Sequence, residues 1–260
     1  MMEVYEQGPA WVDVGDDVAF SHTTIILKQD DDFFHARTSR RYRSAAEINA
    51  DELEVHPIPP SAIWPPLSPD LTQAPNPLPD NCYVKRPSLL YYSEMSADEL
   101  LSDSLLQEAR TCEILRAHPH PNIAQYFGCT TKNRRITGLC FARYNITLAD
   151  QMKEGLDSFD RDICLRGIQD GIKHLHGLGL VHNDLNPYNI MLKSDATPVI
   201  IDFDSCRREG DKLGSTVGTM GWSDESMEFA IPANDYYGLK KIEEFMHSGK
   251  SKQNPDTMKM

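Results

Sequence analysis

Asp184, Asn189 and Asp202 are the residues of this chain whose types and spacing suit chemistry. They lie in one stretch, LVHNDLNPYNIMLKSDATPVIIDFDS, running from Leu180 to Ser205. Two carboxylates and an amide oxygen gathered in one cleft suit Mg²⁺, a hard cation that prefers oxygen ligands and usually shares itself with substrate phosphates. A carboxylate beside such an ion can orient an attacking hydroxyl or take its proton.

Two short strands must bring these side chains together. Ile190-Met191-Leu192 and Val199-Ile200-Ile201 are apolar runs on either side of a turn from Lys193 to Pro198. A hairpin of the two holds the loops at its edges close to one another. A hairpin whose loops merely favour Asn, Asp and Pro is the bland alternative. Upstream, Cys82-Tyr83-Val84-Lys85 reads as a strand ending on a lysine. Ser96-Ala97-Asp98-Glu99 is a capping box and predicts the start of a helix. Along it Leu101, Leu105, Glu108, Cys112 and Leu115 recur at steps of three and four, which puts Glu108 on the apolar face. A carboxylate there needs a partner, and Lys85 is the natural one. Glu113 is the rival, about half a turn away from that stripe. Phe159 to Gly177 predicts an amphipathic helix with Leu165, Ile168, Ile172 and Leu175 on one face. His174 and His176 flank that face and read as surface or cap residues.

The rest of the chain bounds the answer. The net charge is −13 and the sequence pI about 5.1, so the body is a poor electrostatic partner for nucleic acid or anionic lipid. Six cysteines without a C-x-x-C pair fit reduced thiols in an intracellular protein, cytoplasmic or nuclear. The first residues form no signal peptide, and no apolar run approaches a membrane span. Residues 1–19 are acidic and carry no pattern. Thr23 to Leu27 and Phe33 to Ala36 predict a hairpin around Lys28–Asp32. The basic run Arg37–Arg43 reads as a solvated face. From His56 to Pro79 prolines crowd the chain, and this segment is expected to be a surface strap or a disordered insertion outside the core, cut first by proteases.

The order H-x-D-x-x-x-x-N, then a strand ending in D-F, resembles the catalytic loop and metal loop of protein kinases. The resemblance implies an α+β, bilobal protein kinase-like fold. Residues 1–80 would be an N-terminal extension or divergent first hairpin, 81–144 the N-lobe and 145–260 a shortened C-lobe. It implies ATP and Mg as cofactors and a protein substrate, with the oligomeric state left open. Asp184 would be the catalytic base, and Asn189 and Asp202 the metal ligands. Lys85, paired with Glu108, would contact the α and β phosphates. His120-Pro121-Asn122-Ile123 is similar to the turn before the fourth kinase strand. Ile136 to Tyr144 is similar to the strand entering the hinge, with Phe141 as gatekeeper and the backbone of Ala142, Arg143 and Tyr144 meeting adenine. Gly218-Thr219-Met220-Gly221-Trp222 resembles the segment that receives a Ser/Thr substrate. Asp235 resembles the helix aspartate that bonds the catalytic-loop backbone, and His182 supports that loop. The likeness runs from about Tyr83 to Met246 and is nearest to small fungal kinase-like proteins with a D-F-D metal loop.

The departures keep three readings open. No glycine lies between Gly15 and Gly128, so the glycine-rich phosphate loop is missing, and the acidic turn Asp30-Asp31-Asp32 is no substitute. Asn183 stands where many kinases carry an arginine, Asn186 where a lysine often contacts the γ-phosphate, and the A-P-E triplet is absent. The first reading is a slow Ser/Thr protein kinase that activation-segment phosphorylation does not gate. The second is a pseudokinase that binds nucleotide without turnover. The third is a small-molecule phosphotransferase of the aminoglycoside or choline kinase kind, which also lacks the D-F-G glycine.

Overall fold

The computed structural model describes residues 2–15, 17–92, 100–154, 160–214, 218–224 and 226–248. The capping box at Ser96–Glu99 lies outside the described residues.

The chain opens with β1 (Glu3–Val14), β2 (Asp17–Gln29) and β3 (Asp32–Thr38), joined in antiparallel register, and β3 then pairs with β4 (His56–Ile58). The hairpin predicted around Lys28–Asp32 is present. Its turn is tight, with Gln29 opposite Asp32 and Asp30 at φ 55°, a conformation that Asp tolerates. Residues Thr23–Leu27 are all buried because β2 is covered on both faces. Ile25 and Leu27 join Ala36 in one cluster, while Ile26 joins Phe33, Ile58, Ile63 and Leu89 in another. The acidic first residues, which carry no pattern in the sequence, form the long outer strand of this sheet. Irregularities between Val4 and Glu6 and between Ala10 and Trp11 break its period of two, and its outer position accommodates Pro9.

The proline-rich segment is a surface strap, but it is anchored to the core rather than lying outside it. It begins as β4 and one helical turn, α1 (Pro60–Ile63), with proline at the first position where no amide partner is needed. It then runs along the next sheet, where Leu67 N donates to Arg134 O and Ala74 N to Cys129 O, and accepts at Pro65 O and Thr72 O. Ile58, Ala62, Ile63 and Leu71 are buried. The strap lies on the surface and is anchored to the core through these side chains and backbone bonds, while residues such as Pro69, Asp70 and Leu78 stay exposed.

The second sheet has the order β5 (Cys82–Lys85), β7 (Arg135–Ala142), β6 (Tyr126–Lys132), with α2 (Leu101–Ala117) packed against it. Beyond it come β8 (Ile146–Thr147), α3 (Leu148–Lys153), α4 (Arg161–Gly177), β9 (Leu180–Val181), β10 (Ile190–Leu192), β11 (Pro198–Ile200), β12 (Arg207–Arg208) and α5 (Pro232–Ser248). The fold is α+β. One core, from Leu105 and Ala109 of α2 through Phe203 to Ile168 and Ile172 of α4, runs across both parts. Ala124 N donates to Ile200 O and ties them together. Among the described residues no helix is long and apolar enough to cross a membrane.

Candidate active site

The hairpin read from the sequence forms as β10 and β11, with Ile190 opposite Ile200 and Leu192 opposite Pro198. Its turn closes through Lys193 N to Thr197 O, with the Asp195 carboxylate accepting from Thr197 N. Ile201 N donates to Asn189 O, so the loops before and after the hairpin lie side by side.

His182 is fully buried and fixes the first loop. Its Nε2 is 3.0 Å from Ile201 O, and its Nδ1 accepts from Asp184 N at 3.3 Å. A carbonyl can only accept, so the imidazole is the neutral tautomer with the proton on Nε2. Its ring meets Phe203 edge-on at 5.7 Å. Asp235, at 0 % exposure on α5, accepts from His182 N at 3.0 Å and Asn183 N at 2.9 Å. His176 Nε2 is 2.8 Å from the same carboxylate. His176 therefore faces inward, not to the surface. The reason is the aspartate, a partner on α5 that α4's own pattern does not reveal. His174 is half-buried, its ring stacked on His120 and its Nε2 2.8 Å from His118 O.

Asp184 is held by three donors. Thr219 Oγ1 donates to Oδ1 at 2.7 Å, Asn186 Nδ2 to Oδ1 at 3.2 Å and Asn189 Nδ2 to Oδ2 at 2.9 Å. Burial raises the Asp184 pKa above the ordinary aspartate value, against the pull of the bonds from Thr219 and Asn186. A partly desolvated carboxylate of this kind is a better proton acceptor than a surface one. Gly218 has φ 94° and lies against Ser223 and the Asn183 carbonyl, so the position needs glycine.

Lys85 Nζ lies 2.8 Å from both Glu108 oxygens and 2.6 Å from Asp202 Oδ1. Glu108 also accepts from Phe203 N at 3.2 Å, which couples α2 to the loop after β11. Glu113, the rival, instead holds the strap by accepting from Thr72 N at 2.7 Å and Thr72 Oγ1 at 2.9 Å. Asp204 Oδ2 stands 3.6 Å from Lys85 Nζ. Sequence reasoning assigned Asp204 no role, although the third letter of D-F-D is the signal that would have found it. Burial alone would lower the Lys85 pKa, but Glu108, Asp202 and Asp204 outweigh it and hold the ammonium well above its ordinary value. Burial, with Asp202 and Asp204 adding to it, pushes Glu108 up to about 7 against the pull of Lys85. For Asp202 burial is overcome by Lys85, and its pKa is lowered.

Lys85 and Asp202 line a cleft of about 370 Å³ whose apolar walls come from Ala124, Phe141, Met191 and Ile201. At the hinge two backbone amides are already engaged. Ala142 N already donates to Gln125 O and Arg143 N to Asn81 O. Among the described residues the Tyr144 amide is left without a backbone acceptor, while the Tyr144 hydroxyl accepts from Gln125 N.

The donor set fits Mg²⁺. Glu108, Asp202 and Asp204 oppose the single ammonium of Lys85, so the site carries excess negative charge next to the oxygen of Asp202. Asn189 turns its amide nitrogen to Asp184, which puts its oxygen on the other side of the planar group. Among the described residues no cluster of three or more His, Cys, Asp or Glu side chains is built as a complete metal cage.

Residues 91–227 match the family model of the protein kinase domain, more than half of the chain. The chain belongs to the protein kinase family. The match begins after Lys85 and ends before α5, so Lys85 and Asp235 lie outside it.

Proposed function

We propose that this protein transfers the γ-phosphoryl group of Mg·ATP to a Ser or Thr hydroxyl of a protein, slowly. The observation that carries this reading is the convergence on one cleft of Lys85, locked by Glu108 at 2.8 Å, with Asp202. Asp184 stands on the adjoining loop, already receiving a threonine hydroxyl at 2.7 Å. Phosphoryl transfer asks a protein for positioning and charge neutralisation more than for covalent chemistry. Lys85 would exchange Asp202 for the α and β phosphates. Asp202 and Asn189 would hold Mg²⁺, which when bound neutralises charge on the transferring group. Asp184 orients the incoming hydroxyl and takes its proton as the new P–O bond forms and the bond to the β–γ bridging oxygen breaks, releasing ADP.

The missing glycine loop and Asn186 in place of lysine remove donors that would face the developing charge. Each missing donor costs on the order of 2.7–4 kcal/mol, by analogy with oxyanion-hole deletions, hence the low rate. The second reading, a pseudokinase, is favoured by the saturation of Lys85 with three carboxylates.

Two variants separate the readings. Asp202→Ala is expected to abolish the thermal stabilisation given by Mg·ATP. Asp184→Asn is expected to keep that stabilisation and lose turnover. Wild-type protein that is stabilised by Mg·ATP yet phosphorylates neither itself nor a generic protein substrate would decide for the pseudokinase. Phosphorylation of an amine- or hydroxyl-bearing metabolite, with proteins ignored, would decide for a small-molecule kinase.

A further inference from the structure

A second cleft, of about 410 Å³, opens between the first sheet and the second, away from the nucleotide cleft. Its wall is aromatic and preformed. Tyr5 meets Phe33 edge-on at 4.9 Å, and Phe33 meets Trp64 edge-on at 5.7 Å. Phe33 is 7 % exposed, and the Trp64 carbonyl is pinned by Arg135 at 2.8 Å. Lys28, Arg86 and Lys132 also line the cleft, with Asp31 among them. Lys132 is paired with Asp31. Lys28 and Arg86 have no carboxylate partner among the described residues. The nearby Glu6 carboxylate is taken up by Ser88 Oγ at 3.0 Å and Leu89 N at 2.9 Å. Successive residues of an extended chain point to opposite sides. Arg86 accordingly lines this cleft, while Lys85 lines the other.

Two cations without an ion pair among the described residues, beside three rings, define a ligand by complementarity, although Glu3 neighbours Lys28 across the strands and Asp31 also lines the cleft. The volume falls within the roughly 300–1,000 Å³ of small-molecule sites, where an apolar wall supplies most of the contact and a few polar groups fix orientation. Arg86 suits a planar or tetrahedral oxyanion through its fork of donors, and Lys28 adds a point charge. We propose that this cleft binds a small aromatic anion, a one- or two-ring body carrying a phosphate or carboxylate. The site is independent of the proposed phosphoryl transfer.

The test uses the full chain with 1-naphthyl phosphate, 1-naphthoate and neutral 1-naphthol, in the presence of saturating Mg·ADP to occupy the nucleotide cleft. Binding is read by calorimetry and by quenching of tryptophan fluorescence. Saturable binding of at least one anion is expected, with naphthol weaker by about tenfold or more, and the better of the two anions names the acid group. Lys28→Gln combined with Arg86→Gln, two substitutions outside the core, is expected to weaken the anion by about tenfold or more while leaving naphthol unchanged. Trp64→Phe is expected to remove most of the quenching. An unchanged melting temperature of the double variant separates loss of the site from loss of the fold, and a lowered one is resolved by Lys28→Gln alone, read the same way. Absence of saturable anion binding, naphthol binding as tightly as the anions, or anion affinity unchanged in these variants overturns the proposal.

Discussion

Glu108 is 2 % exposed with both oxygens on Lys85, and a pair so buried is asymmetric in its energetics. Its net worth against an apolar pair is small, whereas removing one partner strands the other away from water. Lys85→Met leaves Glu108, Asp202 and Asp204 with no ammonium among them. Breaking a buried pair costs about 3–5 kcal/mol. The expected loss lies at the low end, because burial and the neighbouring carboxylates already raise Glu108 to about 7 and it takes up a proton readily. Glu108→Gln keeps the shape of the side chain and is expected to lose less. Urea unfolding of the two variants checks the asymmetry, and a larger loss for Glu108→Gln would refute it. Asn183 carries the second residue-level argument. It is 3 % exposed, its Nδ2 donates to Val181 O at 2.9 Å and Ser205 O at 3.1 Å, and its Oδ1 accepts from Asn234 Nδ2 at 3.0 Å. These neutral bonds tie the catalytic loop to the metal loop and α5 without any phosphate, and an amide cannot pair with a dianion as an arginine does. Phosphatase treatment is therefore expected to leave the rate nearly unchanged. A tenfold loss, about 1.4 kcal/mol of barrier, would show that a phosphate acts as a switch.

Among the elements, the strap gives the sharpest test. Gly128 of β6 has φ 127°, and a Cβ there would fall 2.6 Å from Ala74 N, 2.7 Å from the Gln73 carbonyl carbon and 2.8 Å from Thr72 O. All three are backbone atoms of the strap and cannot swing aside. Gly128→Ala is expected to undock the strap. Wild-type protein should resist limited proteolysis across residues 64–79, reversing the expectation drawn from proline content, and the variant should be cut there. Early cleavage of the wild-type strap, or an unchanged digestion pattern in the variant, would count against this docking. The same elements show what was legible. The β10–β11 hairpin could be read because its strands are short apolar runs on either side of a polar turn, and the loops at its ends carry Asp184, Asn189 and Asp202. The inward face of α2 could be read because Glu108 interrupts an apolar stripe at helical steps. The outer strand β1 could not, since its bulges break the alternation that marks a strand. Nor could the docking of the strap, because proline density reports missing donors and says nothing of the Leu67 and Ala74 amides that remain to pair. Asp204 and His176 escaped for a related reason: their partners are distant in sequence, Lys85 for one and Asp235 for the other.

At the scale of the whole molecule, the first sheet and the two-part core are joined by small contacts. Among the described residues these include Glu6 to Leu89, Phe33 on Trp64, Leu101 of α2 on the Ile26 cluster, and the ion pair of Lys132 with Asp31. Whether they unfold together can be read from pH. His35 lies in the first sheet with the rings of His56 and Tyr92 at 5.3 and 5.4 Å, and burial, with His56 and Arg37 adding to it, lowers its pKa. His120 lies in the other part, stacked on His174 at 4.7 Å, and burial with His174 lowers it against a weaker opposite pull from Asp170. A histidine depressed in the folded state binds fewer protons there than in the unfolded chain. The stability it contributes is present above its unfolded pKa of about 6.5 and is lost as pH falls through that value toward the lowered one. The net charge of −13 acts oppositely over the same range, since protonation relieves self-repulsion, so the histidines are isolated by comparison with variants. Urea midpoints measured at pH 7.5 and 5.5 are expected to show a smaller acid loss in His35→Gln and in His120→Gln than in wild type. If the sheet and the core form one cooperative unit, each variant flattens the same single transition and the two effects add in the double variant. A separate early transition whose pH dependence responds only to His35→Gln would instead show the first sheet melting on its own, with the contacts at Glu6, Trp64 and Lys132 too weak to couple it.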